Sequence, residues 1–254
     1  MIAGVSNIGN DINWTGHLFG QSNWFAYGRL AWDPRLGADE IAEEWIHHTF
    51  GTYPGLAGPV LQMMMASHGT VADYMTPLGL HHIMGWDHHY GPGPWVTGGR
   101  ADSAGIGFDR TSTGSNTLAQ YAPEIRQQYS DPATCPEKYL LWFHHLPWGH
   151  RMPSGNTLWK ALCYRYDAGV HGVEEMVATW KDLEGQTDWQ RYHHVAQLLQ
   201  VQLNEAGWWR SSCLLYFQQF SGMSFPEDFV QPEGNLQEYM QMQFPYAPGI
   251  RPTW

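Results

Sequence analysis

Charged residues are scarce in this sequence, at 15% of its 254 residues, against roughly a quarter in an average soluble domain. The net charge is −11, from 13 Lys and Arg against 24 Asp and Glu. Nucleic acids and anionic membrane surfaces bind clustered basic side chains. This charge balance therefore argues against both as partners.

Long apolar runs are missing too, since none approaches the ~20 residues that span a bilayer. The first residues, MIAGVSNIGNDINW, show neither a basic n-region nor a cleavage site, so no signal peptide is recognised and both cytoplasmic and secreted locations stay open. Only three cysteines are present, well separated and odd in number, which favours neither a disulfide scaffold nor a zinc ribbon. Cys163 and Cys213 lie in apolar helical patterns and are interpreted as small core residues.

Helical patterns fill most of the chain. After a short apolar run, IAGVSNI, that predicts a buried strand, helices are predicted for QSNWFAYGRLAW, for GADEIAEEWIHHTF and for about 58–75. Their ends are indicated by Asp33-Pro34, Gly51 and Thr76-Pro77. The sequence predicts a mainly α fold.

Two longer helices of about 30 residues are predicted after Gly155, with a tight turn near Gly185 between them. They would form an antiparallel hairpin whose apolar stripes are packing surface. The stripe residues are Val170, Val173, Val177, Trp180 and Leu183, then Tyr192, Val195, Leu199, Ala206, Trp209, Cys213, Tyr216 and Phe220. The Pro-rich tail that follows is predicted to be irregular and to pack along the surface.

Residues 78–115 break this helical pattern. Eleven of these 38 residues are Gly or Pro, and neither a helical nor a strand period is visible. A loop this long in a compact domain is usually functional or disordered, and its aromatic content argues against disorder. We therefore predict an ordered, functional loop.

A metal site is one interpretation of this loop, because His-His recurs at 47–48, 81–82, 88–89, 144–145 and 193–194. Adjacent histidines on a helix or a strand point in different directions and rarely bind one ion. His82, Asp87 and His89 could still converge, so a metal-dependent enzyme remains an alternative, although no cofactor is expected. Nucleophilic catalysis and phosphate binding have less support: no G-x-S-x-G motif occurs, and GIGFDRTSTGS lacks the context of a phosphate-binding loop.

Carbohydrate binding fits the composition of the loop best. Aromatic faces stack on sugar rings while polar side chains bind the hydroxyls. The predicted sugar-binding residues are Trp95, Trp86, His89 and Tyr90, with Asn7 and Trp14 on a second rim. For each tryptophan, core packing is the alternative role.

Several long strings resemble the C-terminal part of the α-glucuronidases of glycoside hydrolase family 67. They are GVSNIGNDINWTGH, AYGRLAWDPRLGADEIAEEW, MTPLGLHHIM, DHHYGPGPWV, GIGFDRTSTGSN, TCPEKYLLWFHHLPW, SGNTLWKALCYRYDAGV and EAGWWRSSCLLYFQQFSG. The resemblance runs nearly end to end. It implies hydrolysis, with inversion, of the α-1,2 link between (4-O-methyl)glucuronic acid and the terminal xylose of glucuronoxylan-derived oligosaccharides.

The resemblance also implies a division of the chain. Residues 1–35 would be the closing βα unit of a (β/α)8 barrel, and residues 36–254 a helical C-terminal domain that packs on the barrel and supports a homodimer. The loop with Trp95 would reach over the active-site mouth.

An inverting glycosidase needs two carboxyl groups roughly 6.5–9.5 Å apart. The resemblance places them on barrel strands upstream of Met1, so no catalytic residue is assigned here. Asp11, Asp87 and Asp109 are the alternatives, because these carboxylates stand in loops. A non-catalytic carbohydrate-binding module and a dimerisation domain are the other interpretations.

Overall fold

The computed structural model describes residues 15, 17–85, 91–97 and 100–242. This part of the chain is mainly helical, as predicted. The helices are α1 Gly20–Trp32, α2 Ala38–Phe50, α3 Ala57–Met75, α4 Pro94–Thr97, α5 Pro123–Tyr129, α6 Leu140–Phe143, α7 Leu158–Asp182, α8 Trp189–Ser221 and α9 Leu236–Gln241. The strands are β1 Ala101–Asp102, β2 Gly105–Gly107 and β3 His145–Leu146, and short 3-10 turns cover Pro77–Gly79, Thr117–Gln120 and Glu137–Tyr139.

Local signals explain the bounds of the first three helices. The α1 helix ends one residue before Asp33-Pro34, where proline disfavours a helical conformation for its predecessor. At the start of α2, the Glu40 carboxylate accepts a 2.9 Å hydrogen bond from the Gly37 N–H, and at its end Gly51 adopts φ 81°. All three helices lie where the sequence predicts them.

The chain divides into two compact units, which are described separately. In the first, residues 15, 17–68 and 172–203, an apolar core joins α2 to parts of α3, α7 and α8. Trp180 is 1% exposed, and its ring centre lies 6.1 Å from that of Tyr192 in a stacked arrangement. The Phe50 and Phe19 rings complete an aromatic group around it.

The α1 helix of this unit buries none of its residues. The Arg29 guanidinium bonds the Glu44 carboxylate of α2 at 2.7 Å. Tyr27, Leu30 and Trp32 of this helix are exposed, Trp32 by 86%. The predicted strand IAGVSNI before this helix lies outside the described residues.

The second unit, residues 69–171 and 204–242, contains a small antiparallel sheet in the order β1-β2-β3. Ala101 pairs with Ile106, and Ile106 in turn pairs with Leu146. The sequence did not predict these strands, since they are only two or three residues long and show no alternation. A Cβ on Gly105 would overlap the Leu146 carbonyl, so glycine permits this close approach.

The stripes predicted for residues 155–221 are largely buried. In α7, Val170, Val173 and Trp180 are at most 7% exposed. In α8 the buried stripe residues are Tyr192, Val195, Leu199, Ala206, Trp209 and Cys213, whereas Tyr216 and Phe220 are half-buried. The helices have 25 and 33 residues, close to the predicted lengths.

The tail packs along the second unit. The Trp159 indole N–H donates a 2.9 Å hydrogen bond to the Ser224 carbonyl, and the Tyr164 hydroxyl bonds the Asp228 carboxylate at 2.7 Å. The Phe225 ring lies 5.4 Å from that of Trp159. One departure from the prediction is α9, which Asn235 caps by accepting from the Glu238 N–H at 3.0 Å.

The three cysteines are free and buried. Burial raises the pKa of Cys135 to about 11 and that of Cys213 to about 12. Both side chains therefore stay protonated thiols at neutral pH, as expected for core residues. Among the described helices, none combines the length and apolar character needed to cross a membrane.

Candidate functional site

Backbone pairing holds the two flanks of residues 86–90 side by side. The Gly85 N–H donates to the Gly91 carbonyl at 2.8 Å, and the Gly93 N–H donates to the Ile83 carbonyl at 2.7 Å. A Cβ on Gly93 would come within 2.6 Å of the Gly85 Cα, so this pairing requires glycine. Of the predicted site residues, Trp86, Asp87, His89 and Tyr90, together with Asn7, Asp11 and Trp14, lie outside the described residues.

Trp95 is the predicted sugar-binding residue that the structure places. It lies in α4, directly after Pro94, and is half-buried. Its ring centre is 6.2 Å from that of Tyr216 on α8, in an edge-to-face arrangement. Tyr216 in turn contacts Phe220 at 5.2 Å. Trp95 is thus held against Tyr216 while part of its side chain remains exposed.

Asp109 organises its own loop. Its carboxylate accepts hydrogen bonds from the Thr111 N–H at 3.0 Å, the Thr111 hydroxyl at 2.7 Å and the Thr113 hydroxyl at 2.7 Å. Burial works to raise the pKa of Asp109, but these hydrogen bonds outweigh it and lower the pKa below its ordinary value. A general acid needs the opposite shift, so this geometry suits a turn-forming carboxylate better than an acid catalyst.

A cavity of about 520 Å³ adjoins this loop. Its lining includes Thr111, Thr113, Arg126, His144 and His145. His144 is 5% exposed, and its Nε2 atom has no hydrogen-bond partner among the described residues. The cavity therefore has hydroxyl, guanidinium and imidazole groups in its lining, including one buried histidine.

Acidification is expected to destabilise the folded chain. Burial lowers the pKa of both His81 and His144 below the ordinary 6.5, so the unfolded state takes up protons first as the pH falls. Stability should be flat above about pH 6.5 and decrease towards pH 5, by at most about 1.4 kcal/mol per pH unit for each histidine. Urea unfolding midpoints at pH 7.5, 6.5, 5.5 and 5.0 measure this.

His144→Gln should reduce this pH dependence, whereas His68→Gln should leave it unchanged because His68 is exposed. A midpoint that stays constant or rises between pH 6.5 and 5 would contradict the assignment of the slope to buried histidines.

A cationic and aromatic group, here called the Arg110 cluster, consists of His81, His82, Arg100, Phe108, Arg110 and Trp142. The Arg110 guanidinium carbon lies 3.8 Å from the Trp142 ring centre and 4.8 Å from that of Phe108. Arg110 also donates a hydrogen bond to the Trp142 carbonyl. Two arenes and a carbonyl therefore hold one guanidinium in place.

The other members complete the cluster. The Arg100 guanidinium carbon lies 5.7 Å from the Phe108 ring centre. The His82 ring is stacked on Trp142 at 6.5 Å and 18°, and the His81 ring meets Trp142 edge to face at 4.9 Å. Sequence reasoning missed this cluster, although it singled out both the His81-His82 pair and the string GIGFDRTSTGS that supplies Phe108 and Arg110.

Two of these side chains stand on uncommon backbone. His82 has φ 58° and Arg100 has φ 47°, in the left-handed region that few non-glycine residues adopt. Such conformations cost about 1–3 kcal/mol each and gather at functional sites. Among the described residues, no group of three His, Cys, Asp or Glu side chains is arranged to hold an ion. Asp87 and His89, the predicted alternative metal ligands together with His82, lie outside these residues.

Comparison with known proteins identifies the class. The family model described as "Glycosyl hydrolase family 67 C-terminus" matches residues 15–230. Among curated relatives, the alpha-glucuronidase A of Emericella nidulans is 36% identical over 236 residues. The alpha-glucuronidase of Hypocrea jecorina is 34% identical over 230 residues, and the probable alpha-glucuronidase A of Aspergillus clavatus is 34% identical over 231.

The chain is therefore related to glycoside hydrolases. It belongs to glycosyl hydrolase family 67, and the part of the family that it matches is the C-terminal region. Each alignment covers 87% of this chain but only 27–28% of the relative. The chain thus spans just over a quarter of the length of the curated relatives that it matches.

Proposed function

We propose that this chain is the C-terminal part of an α-glucuronidase that acts on glucuronoxylan-derived oligosaccharides. The reaction is hydrolysis, with inversion, of the α-1,2 link between (4-O-methyl)glucuronic acid and the terminal xylose. The observation that carries this proposal is the match of residues 15–230 to the family 67 C-terminus. The relatives whose alignments cover 87% of the chain are named alpha-glucuronidases.

The catalytic carboxyl groups belong, in this proposal, to a (β/α)8 barrel in the part of the family that this chain does not span. The low pKa of Asp109 and its bonds to Thr111 and Thr113 support this placement. Residues 1–35 would close the barrel. The α1 helix supports it as well, since none of its residues is buried and its apolar Leu30 and Trp32 are exposed, as suits a helix that packs on a neighbouring layer of the same protein.

The helical remainder is proposed to support the barrel and a homodimer, with α7 and α8 as an antiparallel hairpin. In the first unit, the Trp180 indole N–H donates to the Tyr192 carbonyl at 3.0 Å. This bond between α7 and α8 lies beside the short connection, 183–188, as a hairpin requires.

The test of the reaction uses a xylotriose that carries glucuronic acid on its terminal non-reducing xylose. The 254-residue chain and a longer protein that adds the barrel are compared by NMR, which identifies the anomer released first. We expect no release by the chain alone and β-glucuronic acid from the longer protein. Release by the chain alone would place the acid and base among Asp11, Asp87 and Asp109.

Trp95 is proposed to stack on the sugar bound at the active-site mouth. In the active protein, Trp95→Ala should lower kcat/KM by about fivefold or more, if sugar stacking on the indole contributes as much as the about 1–3 kcal/mol of base stacking on an aromatic side chain. Trp189→Ala is the matched control, because Trp189 is 73% exposed and lies outside the proposed site. Equal kinetics for the two variants would remove Trp95 from the site.

The second candidate function is a non-catalytic domain that binds carbohydrate or forms a dimer. It is considered because no pair of catalytic carboxyl groups is assigned among the described residues. Sedimentation velocity with and without xylooligosaccharide separates the possibilities. Self-association independent of sugar would indicate an assembly domain, and sugar affinity without turnover in any longer form would indicate a binding module.

A further inference from the structure

The Arg110 cluster carries positive charge without a neutralising carboxylate. In the described parts of the chain, no Asp or Glu forms a salt bridge with Arg100 or Arg110, although acidic residues outnumber basic ones by 24 to 13. The adjacent Asp109 is already bound by Thr111 and Thr113. Burial lowers the pKa of Arg110, the interaction with Tyr121 raises it, and the charge of Arg100 lowers it. An anion placed at these two guanidinium groups would offset the repulsion between them.

The hydrogen-bonding capacity of Arg110 is only partly used. A guanidinium has five N–H donors, and the described residues accept from that of Arg110 only at the Trp142 carbonyl. The plane of the group is fixed because it lies against Trp142 at 3.8 Å. A fixed fork of donors is the arrangement that binds a carboxylate in bidentate fashion.

Aromatic surface surrounds these donors. Phe108 and Trp142 are half-buried and His82 is exposed, and the Arg110 guanidinium covers part of the Phe108 and Trp142 rings. His81 contributes a buried Nδ1 atom with no partner in the described residues. A small anion such as phosphate would bind the arginines but make no stacking contact with the aromatic rings. A sugar acid would use both, because its ring presents C–H faces to the arenes while its carboxylate meets the guanidinium groups.

We propose that the Arg110 cluster binds a uronic acid residue, with the carboxylate on Arg110 and Arg100 and the sugar ring against Trp142 and Phe108. The choice of glucuronate as ligand depends on the proposed function, whereas the site itself depends on the geometry of the cluster. It would act as a carboxylate-recognising subsite contributed by the C-terminal region of the protein.

The experiment measures binding at the cluster itself. The protein is prepared with 5-fluorotryptophan, and the ¹⁹F resonance of Trp142 is assigned with Trp142→Phe. Sodium glucuronate, its neutral methyl ester, glucose and inorganic phosphate are titrated separately. We expect the Trp142 resonance to shift with glucuronate at an affinity at least about tenfold above that for the methyl ester and for phosphate.

Variants separate charge from fold. Arg110→Gln should abolish the preference for glucuronate over its methyl ester, and Arg110→Lys should retain part of it, because lysine keeps the charge but not the planar fork. Arg100→Gln removes the other charge at an exposed side chain and should weaken glucuronate binding if Arg110→Gln fails to fold. Arg35→Gln is the matched control, since this arginine is 88% exposed and should leave binding unchanged.

Three results would overturn the proposal: no shift of the Trp142 resonance with glucuronate, an equal affinity for the methyl ester, or an equal affinity for phosphate. Each of these can occur in a protein that hydrolyses glucuronosyl-xylotriose, so the subsite can fail while the proposed reaction stands. Conversely, a glucuronate-specific shift in the longer, barrel-containing protein together with no release of glucuronic acid by that protein would support the subsite and refute the reaction.

Discussion

Replacing Trp180 by alanine is expected to lower the free energy of unfolding by about 3–5 kcal/mol. The side chain is 1% exposed, stacks on Tyr192 and contacts Phe50 and Phe19. Its removal leaves a cavity among rings that are themselves held by the surrounding helices, so the space cannot readily close. Urea unfolding followed by circular dichroism measures the loss.

A second variant divides this effect between packing and hydrogen bonding. Trp180→Phe keeps much of the ring volume but removes the N–H that donates to the Tyr192 carbonyl at 3.0 Å. That bond contributes about 0.5–1.5 kcal/mol, so Trp180→Phe should lie between the wild type and Trp180→Ala. Trp189→Ala should change stability by less than about 0.5 kcal/mol, because Trp189 is 73% exposed. A Trp180→Ala loss as small as that control would mean that this aromatic group does not stabilise the unit.

Gly107→Ala is expected to disrupt the small sheet beneath the Arg110 cluster. Gly107 has φ 104°, and a Cβ there would overlap the His144 carbonyl and lie 3.0 Å from the Leu141 carbonyl. The backbone conformation alone costs a non-glycine residue about 1–3 kcal/mol, and the overlap with buried backbone adds to it. Hydrogen exchange at the amides that join β2 and β3 should report local opening.

Three other glycines of the second unit separate the two causes. Gly155 has φ 85° with nothing within 4 Å of a Cβ, Gly105 has the overlap with Leu146 without positive φ, and Gly149 has neither. Gly155→Ala should therefore measure the cost of the backbone conformation alone, and Gly105→Ala the cost of the steric overlap alone. Gly149→Ala should measure the change in stability when neither is present. Gly107→Ala should cost more than Gly155→Ala or Gly105→Ala; if Gly149→Ala costs as much, the steric explanation is wrong.

The first three helices were predictable from sequence because their signals are local. Asp33-Pro34, Gly51 and Thr76-Pro77 end helices whose apolar residues already recur at helical spacing, and each end lies within a residue of its predicted position. The same is true of the buried stripe through Val173 and Trp180. The helix ends and the helical spacing of the apolar residues depend on residues only a few positions apart, so a single sequence contains them.

The candidate site was predictable only in part. The composition of residues 78–115 predicted a functional, aromatic loop with Trp95 as a sugar-binding residue, and this role of Trp95 stays a prediction. The sheet and the Arg110 cluster were not predictable, because Ile106 pairs with Leu146 and Arg110 packs on Trp142, which is 32 positions away. No local pattern in either stretch indicates the other.

By itself, the sequence determined the helical class of the chain, the positions of its main helices and, through long strings such as GIGFDRTSTGSN, its glycoside hydrolase family. Only the tertiary structure decided that the Asp109 carboxylate bonds the residues of its own turn. Only the tertiary structure decided, too, that Arg100 and Arg110, without acidic partners among the described residues, lie in one cluster with His81, His82 and two aromatic rings. The physical reason is that helix formation is set by neighbours along the chain, whereas a binding site is set by which distant segments the fold brings into contact.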